Sequence, residues 1–139
     1  MVVDEKMEAL RAIGLFAGCS KHELSSVARL CEEAHLKEGF VLTTQGGPGR
    51  ECFVIADGDA KVTIDGQIVA KVGPGDCVGE MALLDGGPRT ATVTALTPMT
   101  VYVLSSVEFR SLLDTSPVAR RIMTSLARRL REAETAHAH

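Results

Sequence analysis

The sequence predicts an α+β domain: an antiparallel β-roll, jelly-roll-like, flanked by N-terminal helices and two C-terminal helices. Three observations carry that prediction. Apolar residues recur at helical spacing before about residue 31 and again after residue 105. Between those stretches, from Phe40 onward, the period falls to two and short β-branched segments alternate with turn residues. The chain has 139 residues, which fits a single domain over 1–139 with a core of its own.

The elements follow in chain order. A short amphipathic helix is expected around 7–13. Ser20 and Glu23 then form a capping box, in which the hydroxyl satisfies an early helix N–H and the carboxylate reaches back to the cap. Behind it Leu24, Val27, Ala28, Leu30 and Cys31 keep helical spacing. The roll is expected over about 36–105, with strands at 40–44, 52–56, 60–64, 68–72, 90–96 and 100–104. Asp57-Gly58 and Asp65-Gly66 are two-residue hairpin signals, and Gly73-Pro74-Gly75-Asp76 is another tight turn. Gly46-Gly47-Pro48-Gly49 has the glycines of a phosphate loop but no following Lys-Ser/Thr, so it reads as a plain turn. Ser105 and Glu108 repeat the capping box and open a closing helix. Ser116-Pro117 reads as the start of the last one, so the closing helices occupy about 106–134.

Composition excludes several function classes. Fifteen basic against eighteen acidic residues give a net charge of −3, a poor match to nucleic acid. No apolar run approaches the roughly 20 residues of a spanning helix, and the acids Asp4 and Glu5 spoil a signal peptide. Cys19, Cys31, Cys52 and Cys77 have no metal-ligand spacing, so the expectation is four buried, reduced thiols in a cytoplasmic protein and no metal. His22 and His35 are expected on the surface. A cupin-like metal enzyme would need histidines on inward strand positions, and the strands drawn above contain none.

The stretch GEMALLDGGPRTATV, residues 79–93, carries the chemistry. Glu80 opens a segment long enough for one or two helical turns, whose first N–H groups, from Met81 and Ala82, suit a small anion. Two glycines and Pro88 bring the chain back to Arg89, a guanidinium that can fork onto a phosphate. Ala82 and Ala91 are small, as a close-fitting ligand requires. Glu80 would repel a phosphate but accepts from hydroxyls, being a pure acceptor when ionised. A sugar phosphate or nucleotide with about one negative charge satisfies both residues.

This stretch resembles the phosphate-binding cassette of cyclic nucleotide-binding domains. LFAGCSKHELSSVARLCEEAHLKEGFVL resembles the family's first helices and first strand, QGGPG and FVIADGDAKV its next turn and hairpin, and FRSLL with the arginine-rich last helix its closing segment. The resemblance implies that Glu80 binds the ribose 2′-hydroxyl and Arg89 the cyclic phosphate, with Gly79, Met81, Ala82 and Thr90 as backbone or hydroxyl contacts and Ala91 beside them. Val62, Val72 and Arg129 are the candidates for a base wall or lid. For Arg129 the alternative is an alkyl stem lying along the last helix's apolar face. Gly47 stands where the family usually has an acid, and Ala133 and Glu134 stand where activator-type members place a Thr-Ser pair.

The expected function is a non-catalytic sensor of a cyclic nucleotide, cAMP with cGMP as the other candidate. It needs no cofactor, touches neither nucleic acid nor membrane, and signals to an unidentified effector protein through its C-terminal helices. The rival readings are a degenerate β-roll that only mediates interactions and the small metal enzyme.

Overall fold

The computed structural model describes residues 2–12, 16, 19–79 and 89–108. Two helices lead into the roll: α1 over Val2–Arg11 and α2 over Lys21–Leu30. The Ser20–Glu23 capping box forms in both directions, at 3.1 Å from the Glu23 N–H to Ser20 Oγ and 2.8 Å from the Ser20 N–H to Glu23 Oε1. Helix α1 begins five residues earlier than expected and stops at Arg11. Asp4, Glu5 and Lys6 look like a polar terminus, yet Lys6 is buried and its ammonium bonds the Cys31 carbonyl at the end of α2.

Eight strands follow among the described residues: β1 (Glu32–Leu36), β2 (Val41–Thr43), β3 (Glu51–Asp57), β4 (Ala60–Ile64), β5 (Gln67–Val72), β6 (Cys77–Val78), β7 (Thr92–Ala95) and β8 (Met99–Ser105). All pairings are antiparallel, in two four-stranded sheets ordered β1-β8-β3-β6 and β2-β7-β4-β5. The expected antiparallel roll with helices before it is therefore correct.

The first sheet is sandwiched. Cys52, Val54, Tyr102 and Leu104 pack on one face against Met7, Leu10, Leu24, Val27 and Ala28 of the two helices. Phe53, Ile55 and Val101, on the other face, pack against Leu42, Ala60, Val93 and Ala95 of the second sheet. We call these the inner and outer sheets. Burial on both faces explains why β3 is buried at four successive positions, 52–55, where a half-exposed strand would alternate.

Four expectations need correction. The roll starts at Glu32 rather than near residue 36, because Glu32, Glu33 and His35 form an edge strand that reads as polar. The strands do therefore contain a histidine, but His35 is exposed and bonds Glu33 at 2.9 Å. Asp57-Gly58 is not a hairpin, since β3 pairs with β6 and β8 while β4 pairs with β5 and β7. This link instead crosses from one sheet to the other. Gly58 lets it pass: a Cβ there would lie 2.5 Å from the Pro98 carbonyl. Finally, Cys31 and Cys52 are buried but Cys19 and Cys77 are only partly so; all four are free thiols.

The other turns match. Asp65 and Gly66, at φ of 52° and 81°, make the positive-φ turn of the β4–β5 hairpin. The Asp76 N–H donates to the Gly73 carbonyl at 3.0 Å and closes the next turn. Ser105 Oγ caps the Glu108 N–H at 3.2 Å, and helix begins at residue 106. The rest of the closing helices, with Ser116, Pro117 and Arg129, lies outside the described residues.

Candidate functional site

Gly79 and Arg89, ten residues apart, meet in space. Gly79 ends the short pairing of β6 with β3, and its φ of 87° turns the chain away from the sheet. Arg89 comes back just before β7, with its Nη1 donating to the Gly79 carbonyl at 3.3 Å. Its Nη2 donates to the Glu51 carbonyl at the start of β3. A Cβ on residue 79 would sit 2.0 Å from Nη1 and 2.9 Å from the Glu51 oxygen. Glycine is required here both for its dihedral and for the notch that admits the guanidinium.

The backbone after Arg89 is held from the opposite side. The Gly46 N–H donates to the Arg89 carbonyl, and the Arg89 N–H donates to the Gly47 carbonyl, both at 2.9 Å. Thr43 Oγ1 donates to the Ala91 carbonyl at 3.0 Å, and the Gln45 N–H donates to Thr92 Oγ1 at 2.9 Å. Four hydrogen bonds thus bind residues 89–92 to residues 43–47. The turn that reads as plain in the sequence is one jaw of the site. Thr90 is exposed and Ala91 half-buried, side by side at the mouth of β7.

Val62 and Val72 lie on β4 and β5, half-buried and packed against the outer-sheet core. Val62 pairs with Val93, four residues beyond Arg89, and Val72 pairs with Ala60. The structure thus gathers Gly79, Arg89, Thr90 and Ala91, and puts Val62 and Val72 on the sheet that continues from them. Glu80, Met81 and Ala82 lie outside the described residues. Sequence reasoning missed Glu51, Thr43, Gln45, Gly46, Gly47 and Thr92. Glu51, Gly46 and Gly47 act through backbone groups, which no residue type announces; the run of threonines facing Gln45 was the available signal.

Two of the thiols, Cys31 and Cys19, are poor nucleophiles. Burial, with help from Cys52 and against the pull of Lys6, pushes Cys31 up to about 12. Burial and then the Glu23 carboxylate push Cys19 up to about 11. At neutral pH both stay protonated. Among the described residues no three His, Cys, Asp or Glu side chains gather as a metal would need, and no helix is long and apolar enough to cross a membrane.

Known proteins resemble this chain in sequence and fold. The family model described as "Cyclic nucleotide-binding domain" matches residues 33–116. A cyclic nucleotide-gated potassium channel from Mesorhizobium japonicum is 32% identical over 124 residues, which is 88% of this chain and 34% of the channel. The chain thus spans about a third of that relative. The N-terminal domain of a transcriptional regulator from Streptomyces coelicolor A3(2) superposes with a TM-score of 0.76 at 33% identity, covering 92% of this chain and 93% of that one. The regulatory domain of Toxoplasma gondii PKA, crystallised with cAMP, superposes with a TM-score of 0.74 at 29% identity, covering 79% and 44%. By its motif, its roll and these matches, the chain belongs to the cyclic nucleotide-binding domain family.

Proposed function

We propose that this domain binds cAMP at residues 79–91 and acts as a non-catalytic sensor, with cGMP the weaker ligand. The observation that carries the reading is the seating of the Arg89 guanidinium in the Gly79 notch. The Gly79 and Glu51 carbonyls each fix one nitrogen of the guanidinium, which orients the fork before a ligand arrives. A phosphate adds to the guanidinium hydrogen bond a charge–charge attraction, and a bidentate geometry, that a carbonyl dipole lacks. A cyclic phosphate can therefore displace a carbonyl from the fork without rebuilding the site.

In this reading Arg89 takes the phosphate and Glu80 the ribose hydroxyl. Met81 and Ala82 offer backbone N–H groups, Thr90 and Ala91 line the mouth, and Val62, Val72 and Arg129 face the base. The cassette then repositions the C-terminal helices, and an effector protein reads that change. The ligand biases the helices only by binding one arrangement more tightly than the other.

Calorimetric titration with cAMP, cGMP and 5′-AMP tests the assignment. cAMP should bind most tightly and 5′-AMP far more weakly, because one arginine suits one negative charge rather than nearly two. Equal affinity for 5′-AMP, or no heat with any of the three, overturns it; the second result favours a roll that only mediates interactions.

A further inference from the structure

We infer that Gln45 and Asp65 are positioning residues for the anion site: they clamp the turn that fixes the Arg89 backbone to the tip of the β4–β5 hairpin. The inference rests on the reading of Arg89 as the phosphate ligand. The clamp itself is visible without any ligand. Gln45 Oε1 accepts the Asp65 N–H at 2.8 Å, and Gln45 Nε2 donates to Asp65 Oδ1 at 3.0 Å. One side-chain amide thus pairs with a residue twenty positions away as a strand backbone would.

Both residues are exposed, so burial does not explain the pairing. Asp65 is the one non-glycine with positive φ among the described residues, at 52°. Asparagine and aspartate tolerate that conformation better than other non-glycine residues. The turn therefore alone favours an Asx residue or glycine at 65, and does not require a bond to a different loop. Gln45 also sends its own N–H to Thr92 Oγ1, so it is fixed at both ends. The next two residues, Gly46 and Gly47, bracket Arg89 through its carbonyl and its N–H. The order of contact is hairpin tip, Gln45, glycine turn, Arg89 backbone, guanidinium.

The reason such a chain of contacts matters is tolerance. The notch at Gly79 has no room to spare, since even a methyl group there would overlap Nη1. Binding groups must be held to within about half an ångström of the productive geometry to be effective. A turn freed from the hairpin can rotate its peptide planes and carry the Arg89 backbone with it. The β4–β5 hairpin becomes a remote setting for phosphate affinity, and anything that grips its tip would retune the sensor.

The test uses the full chain and cAMP as the probe. Gln45→Ala should weaken cAMP binding about three- to tenfold, in line with loss of exposed hydrogen bonds acting through one group. Asp65→Asn keeps an oxygen for Gln45 and should bind like the parent; Asp65→Gly keeps the turn but loses that oxygen, and should fall between the two. In an Arg89→Lys background the Gln45→Ala penalty should shrink below about twofold, because positioning a lost fork has no value. In ligand-free protein, amide exchange at Gly46 and Arg89 should quicken in Gln45→Ala while β3 amides do not change. Parent-like affinity of Gln45→Ala, or an equal penalty in the Arg89→Lys background, overturns the inference. If the parent itself ignores cAMP, the functional reading fails instead, and the exchange rates at Gly46 and Arg89 decide on the clamp alone.

Discussion

The inner and outer sheets are built from the same kinds of residue but are used differently. In the inner sheet, the central strands β3 and β8 are packed on both faces, and β3 has four consecutive buried residues. In the outer sheet, β5 is exposed at five of its six positions, and Ile68 and Val69 remain 65% and 55% accessible. The inner sheet meets the conditions for stability: dry, doubly packed and anchored by two helices. The chain leading into outer-sheet strand β7 carries the arginine end of the site, and β4 and β5 carry the candidate base wall. The two layers meet at the guanidinium, which reaches from the outer-sheet side to the carbonyls of Glu51 on β3 and of Gly79 just after β6.

Breaking each layer in turn should give opposite results. Arg89→Ala should weaken cAMP binding by a factor of tens to thousands, the range for removing one partner of a hydrogen-bonded charge pair, while thermal unfolding moves little. Ile55→Ala should do the reverse. Its side chain is fully buried between the sheets, so truncation should cost about 2–5 kcal/mol of stability. Protein that remains folded should keep parent-like affinity. Ile68→Ala, the same change on the outer sheet, should stay within about 0.5 kcal/mol. Urea titration and calorimetry on the three variants measure both axes. A large affinity loss in Ile55→Ala at temperatures where it is folded would show that the layers are not separate.

The sequence made the two ends of this comparison legible to different degrees. Strands with β-branched residues and glycine turns, such as β4, were readable to the residue, because local period and turn chemistry agree there. Strand β1 was not, because an edge strand with Glu32, Glu33 and His35 has only β8 to pair with and carries charge on its open side. The motif singled out Arg89 as the candidate anion ligand. Its supports were not, since Glu51, Gly46 and Gly47 act through peptide groups and Gln45 through a contact with the hairpin tip. Local pattern marks which side chains are candidates; long-range backbone contacts decide where they are held.

The crossing point between the layers offers a smaller perturbation. Gly58 runs so close to Pro98 and Met99 that a Cβ would lie 2.5 Å from the Pro98 carbonyl and 2.8 Å from Met99 Cγ. Gly58→Ala should therefore cost about 1–3 kcal/mol, the range for overpacking a tight site. The loss should appear in urea titration without a change in cAMP affinity, since the link is remote from Arg89. If Gly58→Ala is as stable as the parent, the two sheets can shift past each other, and the view of the inner sheet as a fixed frame is wrong.

A change of pH also distinguishes the layers. All four thiols lie in or against the helix-side core of the inner sheet, and none lies in the outer-sheet core. Cys31, held up to about 12 by burial and by Cys52, stays protonated in the folded chain when the unfolded thiol, at its ordinary value of 9.0, has ionised. Between those values the unfolded state binds fewer protons than the native one, so stability falls as pH rises. One unit above 9.0, the loss through Cys31 alone is about 1.4 kcal/mol. Urea midpoints measured from pH 8 to 10.5 should fall in the parent, and the difference between parent and Cys31→Ala should narrow over the same range. A native Cys31–Cys52 disulfide is not a competing outcome, and a reductant in the titration keeps the ionised thiols of the unfolded chain from oxidising. Cys52 pairs with Leu104 on one side of β8, and continuing the β1 register places Cys31 on the other. Two strand spacings of about 4.8 Å separate them, beyond the roughly 7 Å that a disulfide can span. A constant gap between parent and Cys31→Ala across that pH range would mean that water reaches the thiol, and that the helix-backed face is less dry than the outer sheet it supports.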